Sequence, residues 1–516
     1  MPEYHDHEEY QTRLEKLQKM QALGVDPYPA QWMPTHQAGP LVAEHEGDEV
    51  GDSAAGQAGS TRQVKVAGRL VLFRAMGKNA FAHIQDESGR IQLMFNRDVS
   101  VVDGHSADEL SHIKFVEKML DLGDFIGVEG HLFRTKKGEL TVFVKRMTPL
   151  CKTLLPLPDK HAGLQDKEVR YRKRWLDLIS NPEVVETLKR RSQILKIVRD
   201  HCEKNGFMEV ETPCLQTIYG GAAAKPFTTE LHSLHQEMFL RISLEIALKK
   251  LVVGGLERVF EIGKVFRNEG IDRNHNPEFT LLEAYAAYWD YNDMMRFMET
   301  LYERIAMELF GTTKVMHEEV ELDFKAPWPR MTMKGAIRHF ASIDVDAESD
   351  DRLRQLLKEK TDLDPLQFAK SPRGLLITFL FEELCEPHLI QPIHITDFPI
   401  ESTPLCKPHR DPHEREAGIV ERFESYCLTH EIANAYSELN DPVIQRRLLE
   451  EQAVRREEGD EEASPLDEEF IEAICQGMPP TGGIGMGLDR MVMLFTGAHS
   501  IRDVIYFPLM KNIEAE

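Results

Sequence analysis

The chain has little sulfur chemistry to offer. Seven cysteines are scattered over 516 residues, at Cys151, Cys202, Cys214, Cys385, Cys406, Cys427 and Cys475, with no CxxC pair among them. An odd, dispersed set argues against a disulfide framework or a zinc ribbon and fits reduced thiols in a cytosol. Long apolar runs are missing too. None approaches the roughly 18 residues that cross a bilayer, so no membrane partner is expected. The first ten residues, MPEYHDHEEY, are acidic where a signal or transit peptide is basic, which makes the cytoplasm the expected location. Nor is positive charge in excess: 62 Lys and Arg face 86 Asp and Glu, a net −24, which excludes a protein that coats nucleic acid through general basicity. The balance is uneven. Residues 1–60 hold 3 basic and 11 acidic side chains, whereas residues 61–200 hold 26 and 18. A basic segment inside an acidic chain suits a polyanion held at chosen places and repelled elsewhere.

What is present divides the chain. Leu14, Leu17, Met20 and Leu23 recur at helical spacing and stop at Gly24, so residues 10–24 are expected as an amphipathic helix whose Arg13, Lys16 and Lys19 form a solvated face or touch nucleic acid. Residues 39–60 are rich in Gly, Ala, Glu and Asp, almost without large apolar side chains, and read as a mobile linker or an eroded surface element that completes a first segment, 1–63. Five β-type runs follow over 64–150: VKVAGRLVLF, AFAHIQD, RIQLMF, DFIGVEGHLF and LTVFVKRM, with a helical stretch between the third and fourth. This pattern suggests a small closed β-barrel of the OB type, with a sandwich or an SH3-like barrel as alternatives on pattern alone. A Pro- and charge-rich bridge fills 151–183. From 184 to 516 helices alternate with strands without an internal repeat, so the second domain is large and α+β.

Three separated segments of that domain carry chemistry. The helix VVETLKRRSQILKIVRDHCEKNGFMEVETPCL runs from Val184 through Gly206 into a short strand and Pro213. In RVFEIGKVFRNEGIDRNHNPEFTLLEAYAAY, a strand, a polar loop and a return strand are expected. Period-2 alternation puts Arg267 and Glu269 on one face of the first strand and Phe279, Glu283 and Tyr285 on one face of the second. Charged groups sharing a strand face with aromatics are costly unless something binds them. In TGGIGMGLDRMVML, Gly483, Gly485 and Gly487 share one strand face that ends in Asp489 and Arg490 at a helix start, leaving a bare floor where a planar ring can lie. Each segment alone has a plain structural explanation. Together, in this order, they resemble the three motifs of class II aminoacyl-tRNA synthetases, and the flanking MGKNAFAHIQDESGRIQLMF, PLPDKHAGLQDKEVRYRKRWLDLIS and EIANAYSELNDP are similar to the class II lysyl-tRNA synthetases.

The resemblance implies an antiparallel catalytic sheet flanked by helices and ATP bound in a bent form. Arg267 would clamp the α-phosphate and the amino-acid carboxylate, a bidentate task suited to a guanidinium. Arg490 would stack on adenine opposite Phe279 and reach the γ-phosphate. His275 and Asn276 in the loop would meet ATP, and Glu269 the adenine or its surroundings. Glu431 and Glu438 match the family's magnesium ligands, hard oxygens of the usual kind. Along a regular strand, however, Glu438 shares a face with Asn434 and Tyr436 while Glu431 falls on the other, so a turn or bulge must intervene.

Related synthetases for aspartate or asparagine share the architecture, but an aspartate side chain needs a cationic pocket. Here Glu245 and Glu283, beside Tyr285 and with Asn434, Tyr436 and Glu438 near, call for an ammonium; Gly220 or Gly221 would present backbone to the α-amino group. RISLEIALK replaces the more usual RIAPELYLK and loses a proline before Glu245. In the barrel, Arg69, Arg74, Phe81 and Gln92 have the aromatic-plus-basic texture of single-strand readers, and the family reads its tRNA anticodon there, whereas Phe73 and Phe95 are expected in the core. The expectation is an ATP- and magnesium-dependent ligase that forms lysyl-adenylate and charges tRNA(Lys), acting as a homodimer through the first motif. A relative specific for aspartate or asparagine, or a non-catalytic RNA-binding relative, is the alternative. CKPHRDPHE at 406–414, with its Cys and two His, lacks a second cysteine pair and is not taken as a zinc site.

Overall fold

In a computed structural model of the chain, residues 3–158, 164–457, 463 and 465–511 are described. The chain forms two compact units, Met1–Gly163 and Leu164–Glu516. Residues 159–163 of the expected bridge, and residues 458–462 and 464 of the second domain, lie outside the described part.

In the first unit the five runs become β1 (Gln63–Met76), β2 (Asn79–Gln85), β3 (Arg90–Asn96), β4 (Phe125–Arg134) and β5 (Leu140–Cys151). They pair in the order β3-β2-β1-β4-β5, and a parallel β3–β5 ladder closes the barrel. Alternation sends Val64, Val66, Ala82, Ile84, Ile91 and Leu93 inward. The N-terminal helix α1 spans Glu8–Ala22. Its Arg13 is buried, donating to Thr153 Oγ1 at 2.8 Å, and Lys16 pairs with Asp121 at 2.6 Å, so neither forms a free basic face. The expected 39–60 linker is not featureless. It carries short helices at Ala38–Glu44 and Ser53–Ala58, and Gly56 of the second packs where a Cβ would lie 3.3 Å or less from Phe133 and Phe143 side-chain atoms.

The second unit is built on an eight-stranded sheet. Its strands are β6 (Met208–Glu209), β7 (Arg258–Phe266), β8 (Glu278–Ala287), β9 (Arg330–Thr332), β10 (Ile393–Pro399), β11 (Ile419–Cys427), β12 (His430–Ser437) and β13 (Thr481–Gly487), in the order β9-β10-β11-β12-β13-β8-β7-β6. All neighbours run antiparallel except the β9–β10 and β6–β7 pairs at the two edges. Even-numbered Leu282, Ala284 and Ala286 of β8 and Ile484 and Met486 of β13 face a core built with helices α2 (Pro182–Lys204), α4 (Tyr291–Phe310) and α6 (Leu488–Thr496). Helices α3 (Glu245–Val253) and α5 (Glu468–Cys475) lie elsewhere in the unit. The odd-numbered positions of β8 and β13 are left for the other face.

Candidate active site

That other face forms the floor of a cavity of about 370 Å³. Register explains how distant residues meet there. Glu283 and Tyr285 on β8 stand opposite Gly485 and Gly483, which in turn stand opposite Asn434 and Tyr436 on β12. A Cβ on Gly485 would lie 3.7 Å from its nearest neighbour, so this glycine keeps open floor. A Cβ on Gly483 would lie 2.0 Å from Glu438 Oε1 and 2.5 Å from Tyr285 Cε1, so this one makes room for the side chains themselves.

One end of the cavity is positively charged. Strand β7 stops at Phe266, so Arg267 and Glu269 belong to the loop, not to one face of the strand as alternation predicted. Arg267 is fixed by its backbone N–H bonding to Pro277 O at 2.9 Å, and its guanidinium covers the Phe279 ring at 5.2 Å. Burial pulls this guanidinium below its ordinary value, and Glu269, Glu431 and Glu283 oppose the fall. Arg490, at the start of α6, donates to Glu431 O at 2.7 Å and lies 3.1 Å from His275 Nε2, whose Nδ1 faces Asp272 at 2.8 Å. Asn276 is buried, bonded to Glu278 O, and its Oδ1 has no partner. Asp489 holds α6 to the sheet, accepting from Arg191 at 2.6 Å and from the Thr280 N–H at 2.7 Å.

The other end is acidic and closed. Glu245, Glu283 and Glu438 are 4%, 4% and 1% exposed. Glu283 accepts from the Leu244 N–H and from Tyr285 Oη, each at 2.9 Å, and Tyr436 Oη donates to Glu245 at 2.6 Å. Burial first, then the Glu245 charge, push the Glu283 carboxyl up to about 7. Glu438 is raised well above the usual range by burial, despite Lys249 beside it, and its Oε1 finds no hydrogen-bond donor. A buried carboxylate oxygen without a donor is costly. Gly221 lines the cavity and Gly220 does not; the Gly220 carbonyl accepts from Ser243 Oγ at 2.8 Å. At Gly221, φ is +83° and a Cβ would meet Ser243 Oγ at 2.1 Å, so only glycine fits.

The expected magnesium pair needs correction. Between Ala433 and Glu431 the register on β11 slips by one, from Ser425 to Tyr426, so β12 bulges and Glu431 turns onto the cleft face, as the spacing required. Yet Glu431 lies near the start of β12 and Glu438 one residue past its end, about 20 Å apart along the backbone at 3.3 Å per rung, too far to share an ion. The acid that meets Glu431 is Glu424, opposite Asn434 and two residues before Tyr426. Burial pushes Glu424 up to about 7, Arg422 opposes this and Glu431 adds to it. Two carboxylates whose charges disfavour each other at the cavity wall fit a hard cation.

The barrel carries its own set, in which Arg74 is exposed and Phe81, His83, Gln92 and Arg69 are half-buried. Arg74 stands opposite Phe81, and His83 opposite Gln92. Phe81 packs beside Met94, Phe133 and Phe143, and Gln92 is held by Glu139 at 2.6 Å and Thr141 at 2.8 Å. Arg69 is otherwise engaged, donating to Gly123 O at 3.0 Å with its guanidinium 4.3 Å over Phe125. Phe95 is in the core and Phe73 packs against it. Sequence reading missed His83, which alternation from Phe81 reveals, and Lys249, one turn after Glu245. It also missed Glu139 and Glu424, which only pairing brings into place.

A class II synthetase is what such a sheet defines, with its glycine floor and its arginine at the helix start, and comparison bears this out. The class II tRNA synthetase profile (D, K and N) matches residues 166–511, and an OB-fold nucleic acid binding domain matches residues 64–150. The chain belongs to the class II tRNA synthetase family. Among its relatives, the lysine–tRNA ligase of Chlamydia pneumoniae is 56% identical over 100% of this chain and 98% of its own length. That of Chlamydia caviae is 55% identical (100% and 99%), and that of Nostoc punctiforme 45% (97% and 87%).

Proposed function

We propose that the protein is a lysine–tRNA ligase. It activates L-lysine with ATP as lysyl-adenylate and passes the lysyl group to the 3′-terminal ribose of tRNA(Lys). The observation that carries this reading is the donor-free Oε1 of Glu438 in a closed end shared with Glu245 and Glu283. Three buried carboxylates accept the ammonium groups of lysine and reject aspartate or asparagine, with discrimination of about 10⁴. The whole-length likeness to lysine–tRNA ligases supports the same choice over those alternatives and over a non-catalytic RNA binder.

No side chain acts as nucleophile. The lysine carboxylate attacks the α-phosphorus, the bond to the bridging oxygen breaks and pyrophosphate leaves; a ribose hydroxyl of the tRNA then attacks the activated carbonyl and AMP departs. Catalysis is therefore alignment and charge neutralisation. Arg267 holds the carboxylate against the α-phosphate. Arg490 and His275 reach the outer phosphates, while Phe279 and the Gly485 floor take the adenine, with Glu269 and Asn276 at its rim. Glu245, with the Gly221 backbone in place of Gly220, receives the α-ammonium. Glu438, Glu283 and Tyr285 receive the ε-ammonium, and Asn434 and Tyr436 line its path. Glu424 and Glu431 are the residues that would hold magnesium, which when bound neutralises phosphate charge. On the barrel, Phe81 stacks an anticodon base, with Gln92 and Arg74 beside it.

Two copies are expected to associate through the first motif. Edge strand β6 and exposed Met208, Leu215 and Leu234 support a second copy as the partner. No helix of the described residues is long and apolar enough to cross a membrane, and the proposed place of work is the cytoplasm. The test is transfer of label from lysine, with ATP and a mixed tRNA pool, into a base-labile ester on tRNA. Label from aspartate or asparagine instead, or none from any amino acid, would overturn the reading.

A further inference from the structure

One charged side chain at the acidic end has no part in the reading above. Lys249 sits one helical turn after Glu245 on α3, is 0% exposed and lies behind the cavity wall, not among the residues that line it. Its ammonium donates to Glu245 Oε1 and pairs with Glu438 Oε2. The rings of Tyr436 and Phe470 flank it at 5.4 and 5.9 Å. Burying an ammonium is costly, and filling this space alone is a task for Leu or Met. The cation must therefore serve the acids it touches.

Charge and geometry say how. With all three ionised, as when ammonium groups are bound, Glu245, Glu283 and Glu438 bring three negative charges to this end and Lys249 brings one positive. Two remain, which equals the number of ammonium groups on lysine, whose carboxylate is matched by Arg267. Lys249 also takes Oε2 of Glu438 and leaves Oε1 over Gly483, on the cavity side. We propose that Lys249 is a positioning and specificity residue: it ties Glu245 on α3 to Glu438 at the end of β12, turns one carboxylate oxygen toward the substrate and leaves room for two ammonium groups. The inference rests on the lysine reading of the pocket.

The experiment is amino-acid-dependent ATP–pyrophosphate exchange with the full-length wild type, Lys249→Met and Lys249→Arg, using lysine and norleucine, which has the same chain length but no ε-ammonium. In Lys249→Met the KM for lysine is expected to rise about tenfold or more, the KM for ATP to stay within about twofold, and the lysine-to-norleucine preference to fall about tenfold. Lys249→Arg, which keeps the charge, is expected to hold that preference within about threefold of wild type even where kcat drops. A packing role predicts equal losses for lysine, norleucine and ATP. That pattern, an unchanged Lys249→Met, or a preference that collapses equally in both variants overturns the inference alone. Absence of lysine-dependent exchange in the wild type overturns the proposed function, and the inference with it.

Discussion

At Gly483 there is no room for a methyl group, because it would overlap the Glu438 oxygen offered to the substrate. Gly483→Ala is therefore expected to raise the KM for lysine about tenfold by displacing Glu438 or Tyr285, with ATP binding little changed; steady-state exchange kinetics decide it. Arg267→Ala is expected to lower adenylate formation by about 10² or more with the circular dichroism unchanged, since a transition-state clamp is lost and no core contact. Glu283 makes a pH prediction. With its carboxyl at about 7, the free site holds a proton below neutrality that an arriving ammonium must expel, so the KM for lysine should climb as pH falls from 8 to 6 while the KM for ATP stays level. Folding responds in the opposite sense. A carboxyl raised in the folded state favours that state below the unfolded value near 4.5, and this contribution is lost as pH rises through 7. A lysine KM flat across that range would show that Glu283 does not face the ammonium.

Among elements, period-2 alternation was enough to set Phe279, Glu283 and Tyr285 on one face of β8 and the three glycines on one face of β13, because both strands run regularly. It failed where a strand ends or slips. Arg267 lies one residue past β7, where the loop rather than the pleat sets its direction. The β12 bulge was inferable from the spacing of acids, but Glu424 as the mate of Glu431 was not, since that depends on the β11–β12 register. Arg69 shows the same limit: its partner Gly123 is 54 residues away. On the barrel, Phe81→Ala is expected to weaken tRNA charging about tenfold, equivalent to one stacked base, and to spare pyrophosphate exchange. Equal loss of both activities would detach that face from the tRNA.

Across the whole molecule, the basic 61–200 segment within an acidic chain covers the barrel strands and the start of the second unit. Sedimentation should give twice the chain mass, and Leu215→Asp should shift the species to the monomer; a wild type that is monomeric at micromolar concentration would contradict the proposed dimer. The central claim concerns the acidic end of the cavity and its choice of a long ammonium side chain. Its most direct test is ATP–pyrophosphate exchange measured with each of the twenty amino acids in turn. Exchange with lysine, exceeding every other amino acid by about 10² or more, is the expected result. Exchange driven by aspartate or asparagine, or by none of the twenty, would contradict it.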